Sequence, residues 1–174
     1  SQASNPDGSQ DPDDGQGHGT HVAGIALGTG DSSRVHIGAA PGAFLVDIKV
    51  LTDSGRTNSQ NSLNGIQWMI NNKDTDWGNG AKGIQIGQMS FGSIGNPIAQ
   101  DSGDNGTGAE ARLVNNATYD HDISCVVAAG NDGMRRIASP GSADGAITIG
   151  SADNADSINR TDDFMASYSN TGPR

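Results

Sequence analysis

Cysteine, positive charge and long apolar runs are scarce in this sequence. The single cysteine, Cys125, lies in the apolar stretch 123–129 and has no partner within the chain, so we exclude an internal disulfide and expect a buried thiol. Lys and Arg number 10 against 20 Asp and Glu, and the formal net charge of -10 argues against the clustered cations that nucleic acid requires. No stretch approaches the ~20 apolar residues of a membrane span, and the first residues lack a signal-peptide pattern. We therefore expect a soluble chain with no nucleic-acid and no membrane partner.

Turn-forming residues divide the sequence into short apolar segments whose periodicity alternates between strand and helix. The 26 glycines, with many Asn, Asp and Ser, indicate numerous tight turns. The periodicity predicts helices over 18–27, 59–72 and 108–119, and strands over 43–51, 83–90, 123–129 and 146–151, with a polar tail after them. This alternation is typical of an α/β fold in which helices flank a parallel sheet. We find no linker or repeat, so we expect residues 1–174 to form one domain, with residues 1–17 as an acidic surface loop at its start.

The most specific motif in the chain is Gly17-His18-Gly19-Thr20-His21-Val22-Ala23-Gly24. It resembles the catalytic-histidine motif of the subtilisin-like serine proteases. The resemblance implies that His18 is a general base, which takes a proton from a serine hydroxyl and returns it to the leaving amine, at the start of a buried helix. We interpret His21 as structural. Zinc binding is disfavoured, because the zinc-protease pattern His-Glu-x-x-His needs a glutamate where Gly19 stands.

A second motif follows the predicted strand 123–129 and reads Val126-Val127-Ala128-Ala129-Gly130-Asn131-Asp132-Gly133. By itself, Asn-Asp-Gly after a strand is typical of a turn. Because it lies downstream of the histidine motif, however, this segment resembles the corresponding segment of the same family. The resemblance implies that Asn131 donates its side-chain amide to the oxyanion formed when the scissile carbonyl is attacked, and that it faces one cleft with His18.

Other segments resemble the same family in the same order, at 38–43, 49–51, 63–68, 89–92 and 166–173. The resemblance implies a polypeptide substrate that pairs with the backbone of 90–92 as an added strand. It also implies a pocket for the residue before the cleaved bond, with 138–140 near its base and with small walls that favour a large apolar side chain. The substrate-binding residues predicted in this way are Leu51, Gly55, Ser90, Phe91, Gly92, Ala128, Ala129 and Gly130.

Two members of the catalytic triad have no counterpart in this sequence. Subtilisins order the triad as Asp, His, Ser, but no Asp-[Ser/Thr]-Gly turn precedes His18 and no Gly-Thr-Ser-x-Ala motif occurs. Asp53 and Asp101 each begin an Asp-Ser-Gly tripeptide, but both follow His18, and we interpret them as turn residues that do not hydrogen-bond it. We therefore interpret 1–174 as a partial peptidase domain, the centre of a longer protein. Without its missing flanking segments it is not expected to hydrolyse peptides.

The sequence thus predicts a serine endopeptidase, located outside the cell or at its surface, that needs no cofactor for catalysis. A peptide-binding, non-catalytic homologue is the alternative, and Asp and Ser motifs in the flanking sequence would discriminate between the two. A structural calcium ion is left open, because oxygen-bearing side chains alternate at Asp7, Ser9, Asp11 and Asp13. The distal Glu of the calcium-loop pattern is missing, however, so we interpret this segment as an exposed acidic loop.

Overall fold

The computed structural model describes residues 13–78, 80–93 and 105–172. The chain divides into two compact units, Ser1–Ile84 and Gln85–Arg174, which are called here the first and the second unit. The predicted loop 1–17 and the predicted turn at Asp101 lie wholly or largely outside the described residues. The prediction of a single domain stays a prediction.

The first unit contains two helices, α1 (His18–Leu27) and α2 (Ser59–Asn71), at the positions that periodicity predicts. Asn58 begins α2 by accepting a hydrogen bond from the backbone N–H of Asn61 at 2.8 Å, which satisfies one of the free donors of the first turn. Buried positions recur along α2 every three or four residues, as on one face of a helix. They are Ser62, Gly65, Ile66, Met69 and Ile70.

The burial predicted for α1 is not present in this structure. None of its residues is buried, and Ile25 is 64% exposed. Residues 38–40 pack along its end, where Ala39 N–H donates to the Ile25 carbonyl at 3.1 Å. Gly38 approaches so closely that a Cβ there would stand 2.5 Å from the backbone nitrogen of Gly28. Small apolar side chains allow close packing. Burial also needs a neighbouring element over the apolar side of the helix, and composition cannot reveal whether such an element is present.

The strand predicted over 43–51 is also wrong. The described residues of the first unit contain no strand, only isolated bridges, one of which joins Thr29 and Ile37. Apolar and polar side chains alternate in the sequence from Val46 to Val50, but burial does not follow this pattern: Phe44 and Leu45 are both 58% exposed and Val50 is buried. A strand requires a second backbone to pair with, and side-chain alternation cannot reveal whether one is present.

The second unit is built on three parallel strands, β1 (Ile86–Met89), β2 (Ser124–Ala128) and β3 (Ala146–Ile149), with β2 in the centre. One helix, α3 (Ala109–Tyr119), connects β1 to β2 and packs against β2 and β3. The α/β fold is therefore confirmed. In the predicted polar tail, β4 (Ala152–Asp153) and β5 (Phe164–Met165) pair as a small antiparallel sheet that the sequence pattern did not predict.

The core of the second unit lies between α3 and one face of the parallel sheet. Cys125 and Val127 of β2 are 0% and 1% exposed, and Ala111, Val114 and Ala117 of α3 are each 0% exposed. Burial raises the pKa of the Cys125 thiol, as expected for a packing residue. The opposite face is open in this structure, with Ile86, Ile147 and Ile149 each more than half exposed.

Candidate active site

His18 is the first residue of α1, and its side chain is exposed. Asp14 holds the turn before it: Oδ1 accepts from Gly17 N–H at 2.8 Å, and Oδ2 accepts from the N–H and the hydroxyl of Thr20, each at 2.8 Å. Gln16 Oε1 accepts from His18 N–H at 2.9 Å. The N–H groups of Thr20 and Gly17, with the Thr20 hydroxyl, hold the pKa of Asp14 well below its usual range. An ionised carboxylate therefore fixes the turn that presents the imidazole.

Asp53, which begins an Asp-Ser-Gly tripeptide and was interpreted as a turn residue, pairs with a lysine. Its Oδ1 pairs with Lys49 Nζ at 2.7 Å, and this contact raises the pKa of Lys49. Asp53 lies against Gly15, where a Cβ would stand 2.5 Å from its carboxyl carbon. The turn of Asp53 thus touches the loop that leads to His18, but its carboxylate pairs with a lysine.

Leu51 and Gly55, the substrate-binding residues predicted in the first unit, flank this turn. Gly55 is exposed and adopts φ +70°, a conformation that favours glycine, and its N–H donates to the Thr52 carbonyl at 2.8 Å. Leu51 is partly buried. His21 is exposed, so the described surroundings do not give its ring the buried structural role that we expected.

In the second unit, the predicted substrate residues come together at the carboxyl edge of the parallel sheet. Met89 pairs with Val127 at the ends of β1 and β2, so the backbone of Ser90, Phe91 and Gly92 leaves the sheet beside that of Ala128, Ala129 and Gly130. In open α/β sheets, this edge is where ligands bind. Ala129 N–H donates to the Ile149 carbonyl of β3 at 2.9 Å, which extends the sheet by one residue.

Residues 138–139 lie against this edge. Ser93 and Ser139 exchange backbone hydrogen bonds of 2.8 and 2.9 Å, and Ala129 accepts from Ala138 N–H at 2.9 Å. A Cβ at Gly92 would stand 3.0 Å from the Ser139 carbonyl oxygen, so a larger residue is disfavoured there. The pocket base predicted at 138–140 stays a prediction.

Asn131 lies three residues after the end of β2, beyond the same edge of the sheet, and it is exposed. Gly130 turns the chain with φ +117°, which few residues other than glycine adopt. Asp132 Oδ2 accepts from Arg136 Nη2 at 2.7 Å, and this guanidinium belongs to a residue that is only 3% exposed. Partial desolvation opposes ionisation of Asp132, but the hydrogen bond and the charge of Arg136 outweigh it and lower its pKa.

Sequence reasoning missed three residues that support these sites. Asp14 was assigned only to an acidic loop, although an acid just before a predicted helix is a recognised start signal. The sequence gives no comparable signal for Arg136 or Asn170, because only the folded chain shows which residues they bond to. The second unit therefore has an exposed amide that follows a backbone edge suited to an extended peptide. Described by itself, the first unit has an imidazole on a fixed turn.

The described residues were searched for side chains that could bind a metal ion and for helices that could cross a membrane. Within 13–78, 80–93 and 105–172, no group of three His, Cys, Asp or Glu side chains could hold a metal ion. Asp7, Ser9 and Asp11 of the candidate calcium segment lie outside these ranges. No helix in the described part of the chain is both long enough and apolar enough to cross a bilayer.

Known proteins resemble this chain along its length. The profile of the Subtilase family matches residues 1–174. Serine protease AprX of Bacillus subtilis (strain 168) is 36% identical over 167 residues, which are 94% of this chain and 36% of that protein. Subtilisin DY of Bacillus licheniformis is 33% identical over 144 residues, which are 80% of this chain and 44% of that protein. The solved structure of Sphericase matches with a TM-score of 0.65 at 33% identity, covering 88% of this chain and 44% of that chain.

The chain spans less than half the length of these relatives, 36% of AprX and 44% of Subtilisin DY. The histidine and asparagine motifs that suggested the family lie within the matched region, and the α/β fold agrees with the solved relative. The chain therefore belongs to the subtilase family of serine proteases.

Proposed function

We propose that this chain is the central part of a serine endopeptidase that acts outside the cell or at its surface by a Ser-His-Asp mechanism. The observation that carries the proposal is the carboxyl edge of the parallel sheet, where the backbone of 90–92 leaves the sheet beside that of 128–130 and Asn131 follows Gly130. An oxyanion donor stabilises the charge that forms during peptide-bond hydrolysis, and a free backbone edge can pair with an extended substrate. The family to which the chain belongs supports the same chemistry.

In the proposed reaction, His18 acts as the base. Its exposed imidazole takes the proton of a serine hydroxyl, the serine oxygen attacks the peptide carbonyl, and the imidazolium then protonates the leaving amine. The negative charge that forms on the carbonyl oxygen accepts a hydrogen bond from the Asn131 side-chain amide. The serine and the aspartate that orients His18 are expected from segments flanking this sequence. The chain by itself is therefore expected to be inactive.

The first experiment compares this chain with a protein that joins it to flanking segments carrying the Asp and Ser motifs, called here the complete protein. The complete protein is expected to cleave peptides, to lose activity with serine-directed reagents and to resist a zinc chelator, because its nucleophile is a hydroxyl. The chain alone is expected to show neither cleavage nor labelling. Removal of calcium is expected to lower stability if the calcium site left open at residues 7–13 exists.

In the complete protein, His18→Ala is expected to lower kcat on the order of 10⁶-fold, because the triad acts as a unit. His36→Ala is the matched control, since His36 is an exposed histidine of the same unit outside the motif. Equal activities of the two variants would exclude His18 as the base. A complete protein that binds peptides without cleaving them would favour the peptide-binding, non-catalytic homologue.

A further inference from the structure

Asn170 is a buried polar residue that bonds to the chain on both sides of Asn131. It is 3% exposed. Its backbone N–H donates to the Gly130 carbonyl at 3.0 Å, and its side-chain Oδ1 accepts from the N–H of Asp132 at 3.1 Å and of Met134 at 3.3 Å. These three hydrogen bonds are called here the Asn170 clamp.

The clamp acts on the two peptide groups that meet at the Cα of Asn131. The Gly130 carbonyl belongs to the peptide group before Asn131, and the Asp132 N–H belongs to the one after it. Because each peptide group is planar, holding one atom of each restrains both φ and ψ of Asn131. The direction in which the Asn131 side chain leaves the backbone is thereby set by a residue far away in sequence.

Neighbouring contacts keep the clamp in place. Gly133 N–H donates to the Tyr168 carbonyl at 2.8 Å, and Thr171 N–H donates to the Met134 carbonyl at 3.1 Å, so backbone bonds flank the Asn170 side chain on both sides. Any Cβ at Gly130 would overlap the Asn170 amide nitrogen. Glycine at 130 is therefore required both by its backbone angle and by the close approach of Asn170.

We propose that Asn170 is a positioning residue that aims the Asn131 amide at the oxyanion. This inference rests on the proposed function. A donor that is already aimed when charge develops needs no rearrangement at that moment, and this is why fixed donors lower reaction barriers. Asn170 itself touches neither substrate nor oxyanion, so its effect passes entirely through Asn131.

A double-mutant cycle in the complete protein tests this coupling. Asn131→Ala is expected to lower kcat roughly 100- to 1,000-fold with little change in KM. Asn170→Ala is expected to lower kcat about 10-fold, also at constant KM, because the donor remains but is misplaced. In the double variant, kcat is expected to equal that of Asn131→Ala, since a positioning residue has no effect once the group that it positions is gone.

Asn115→Ala is the matched control. Asn115 Oδ1 also accepts a distant backbone N–H of the second unit, but this bond is to Gly145, at 2.8 Å, and not to the turn at 130–134. Thermal unfolding is expected at lower temperature for both Asn115→Ala and Asn170→Ala, whereas kcat is expected to fall only for Asn170→Ala. If Asn170→Ala does not fold, Asn170→Ser, which keeps a shorter acceptor, is taken through the same cycle.

Two results would overturn the inference: a kcat for the Asn170 variant equal to that of the control, or a double variant whose loss is the product of the single losses. Failure of the proposed function gives a different result, namely unchanged kcat in Asn131→Ala. The cycle therefore separates an error about Asn170 from an error about the oxyanion donor.

Discussion

Two carboxylates of the first unit, Asp14 and Asp31, each hold a turn by accepting several hydrogen bonds. Asp14 bonds to Gly17 and Thr20 ahead of His18, and Asp31 Oδ1 accepts from Ser33 N–H at 3.0 Å, Ser33 Oγ at 2.9 Å and Val35 N–H at 3.1 Å. The backbone N–H of Val35 and the hydroxyl of Ser33 lower the pKa of Asp31. Only Asp14 is joined to a helix that bears a candidate catalytic group.

The lowered pKa of Asp14 predicts an acid-sensitive contribution to stability. In acid, the unfolded chain binds a proton at this carboxyl more readily than the folded chain does, so the free energy of unfolding rises with pH. The contribution is present above the ordinary carboxyl pKa of about 4 and is lost as the pH falls below it. Asp14→Asn is therefore expected to reduce the proton uptake on unfolding by up to about one proton.

Urea unfolding between pH 2 and about 6 measures this uptake. The background is the complete protein carrying His18→Ala, which prevents self-cleavage. Asp74→Asn is the control, because Asp74 is 86% exposed and its ion pair with Lys73 spans 3.3 Å at the surface. A pH dependence that is the same for Asp14→Asn, Asp74→Asn and the parent would contradict the stabilising role of Asp14.

At the residue scale, the motifs that resemble the family pointed to His18 and Asn131 as candidates but not to the residues that hold their backbone. Asp14 lies four residues before His18 and was within reach of sequence reasoning as a helix-start signal. Asn170 was not, because Asp132 and Asn170 are 38 residues apart. A hydrogen bond of that kind is defined by the fold and leaves no periodic mark in the sequence.

At the scale of elements, the positions of the three helices and of β1, β2 and β3 followed from periodicity, whereas those of β4 and β5 did not, and burial depended on neighbouring elements. α1 begins and ends where predicted, and β2 lies within the predicted 123–129. The segment 43–51 has the alternation of a strand but no strand beside it in the described first unit, and α1 is apolar but exposed there. Patterns of one segment describe the surface that it offers and not the element that covers it.

Burial in the second unit predicts unequal effects for the same substitution. Ile123, immediately before β2, is 0% exposed, whereas Ile158, between β4 and β5, is 102% exposed. Ile123→Ala is expected to lower the free energy of unfolding by about 2–5 kcal/mol, since it removes buried methyl groups and leaves a cavity. Ile158→Ala is expected to change it by less than about 0.5 kcal/mol.

Urea denaturation of both variants in the complete protein measures this difference. Equal destabilisation by the two substitutions would show that the packing of Ile123 beneath α3 does not stabilise the second unit. A change in the slope of the unfolding curve, rather than in its midpoint, would point to an altered unfolded state.

At the scale of the whole molecule, the charge of -10 means that acidic groups repel one another in the compact state. The described ion pairs include Lys49–Asp53 and Asp132–Arg136, and they engage only a few of the 20 acidic residues. Salt screens both the repulsion and the ion pairs. The stability gained from weaker repulsion is therefore expected to exceed the stability lost from weaker ion pairs.

For the 174-residue chain, raising NaCl from low to physiological concentration is expected to increase Tm by about 2–4 °C, which corresponds to roughly 1 kcal/mol for a chain of this size. Choline chloride is expected to give the same increase at equal ionic strength, because screening does not depend on the identity of the cation. A much larger increase with calcium chloride would indicate specific binding and would support the calcium site left open at residues 7–13. No increase with any salt would contradict the repulsion argument.

The order of synthesis determines when the Asn170 clamp can form. Asp132 and Asn170 are 38 positions apart, so β2 and the turn after it are synthesised before Asn170, the proposed positioning residue, has been added. At translation rates of about 5–20 residues per second, this interval lasts a few seconds. During it, a growing chain has the strand and the amide but not the aimed donor. Under the proposed function, the oxyanion donor would therefore be held in place only after residue 170 has been added.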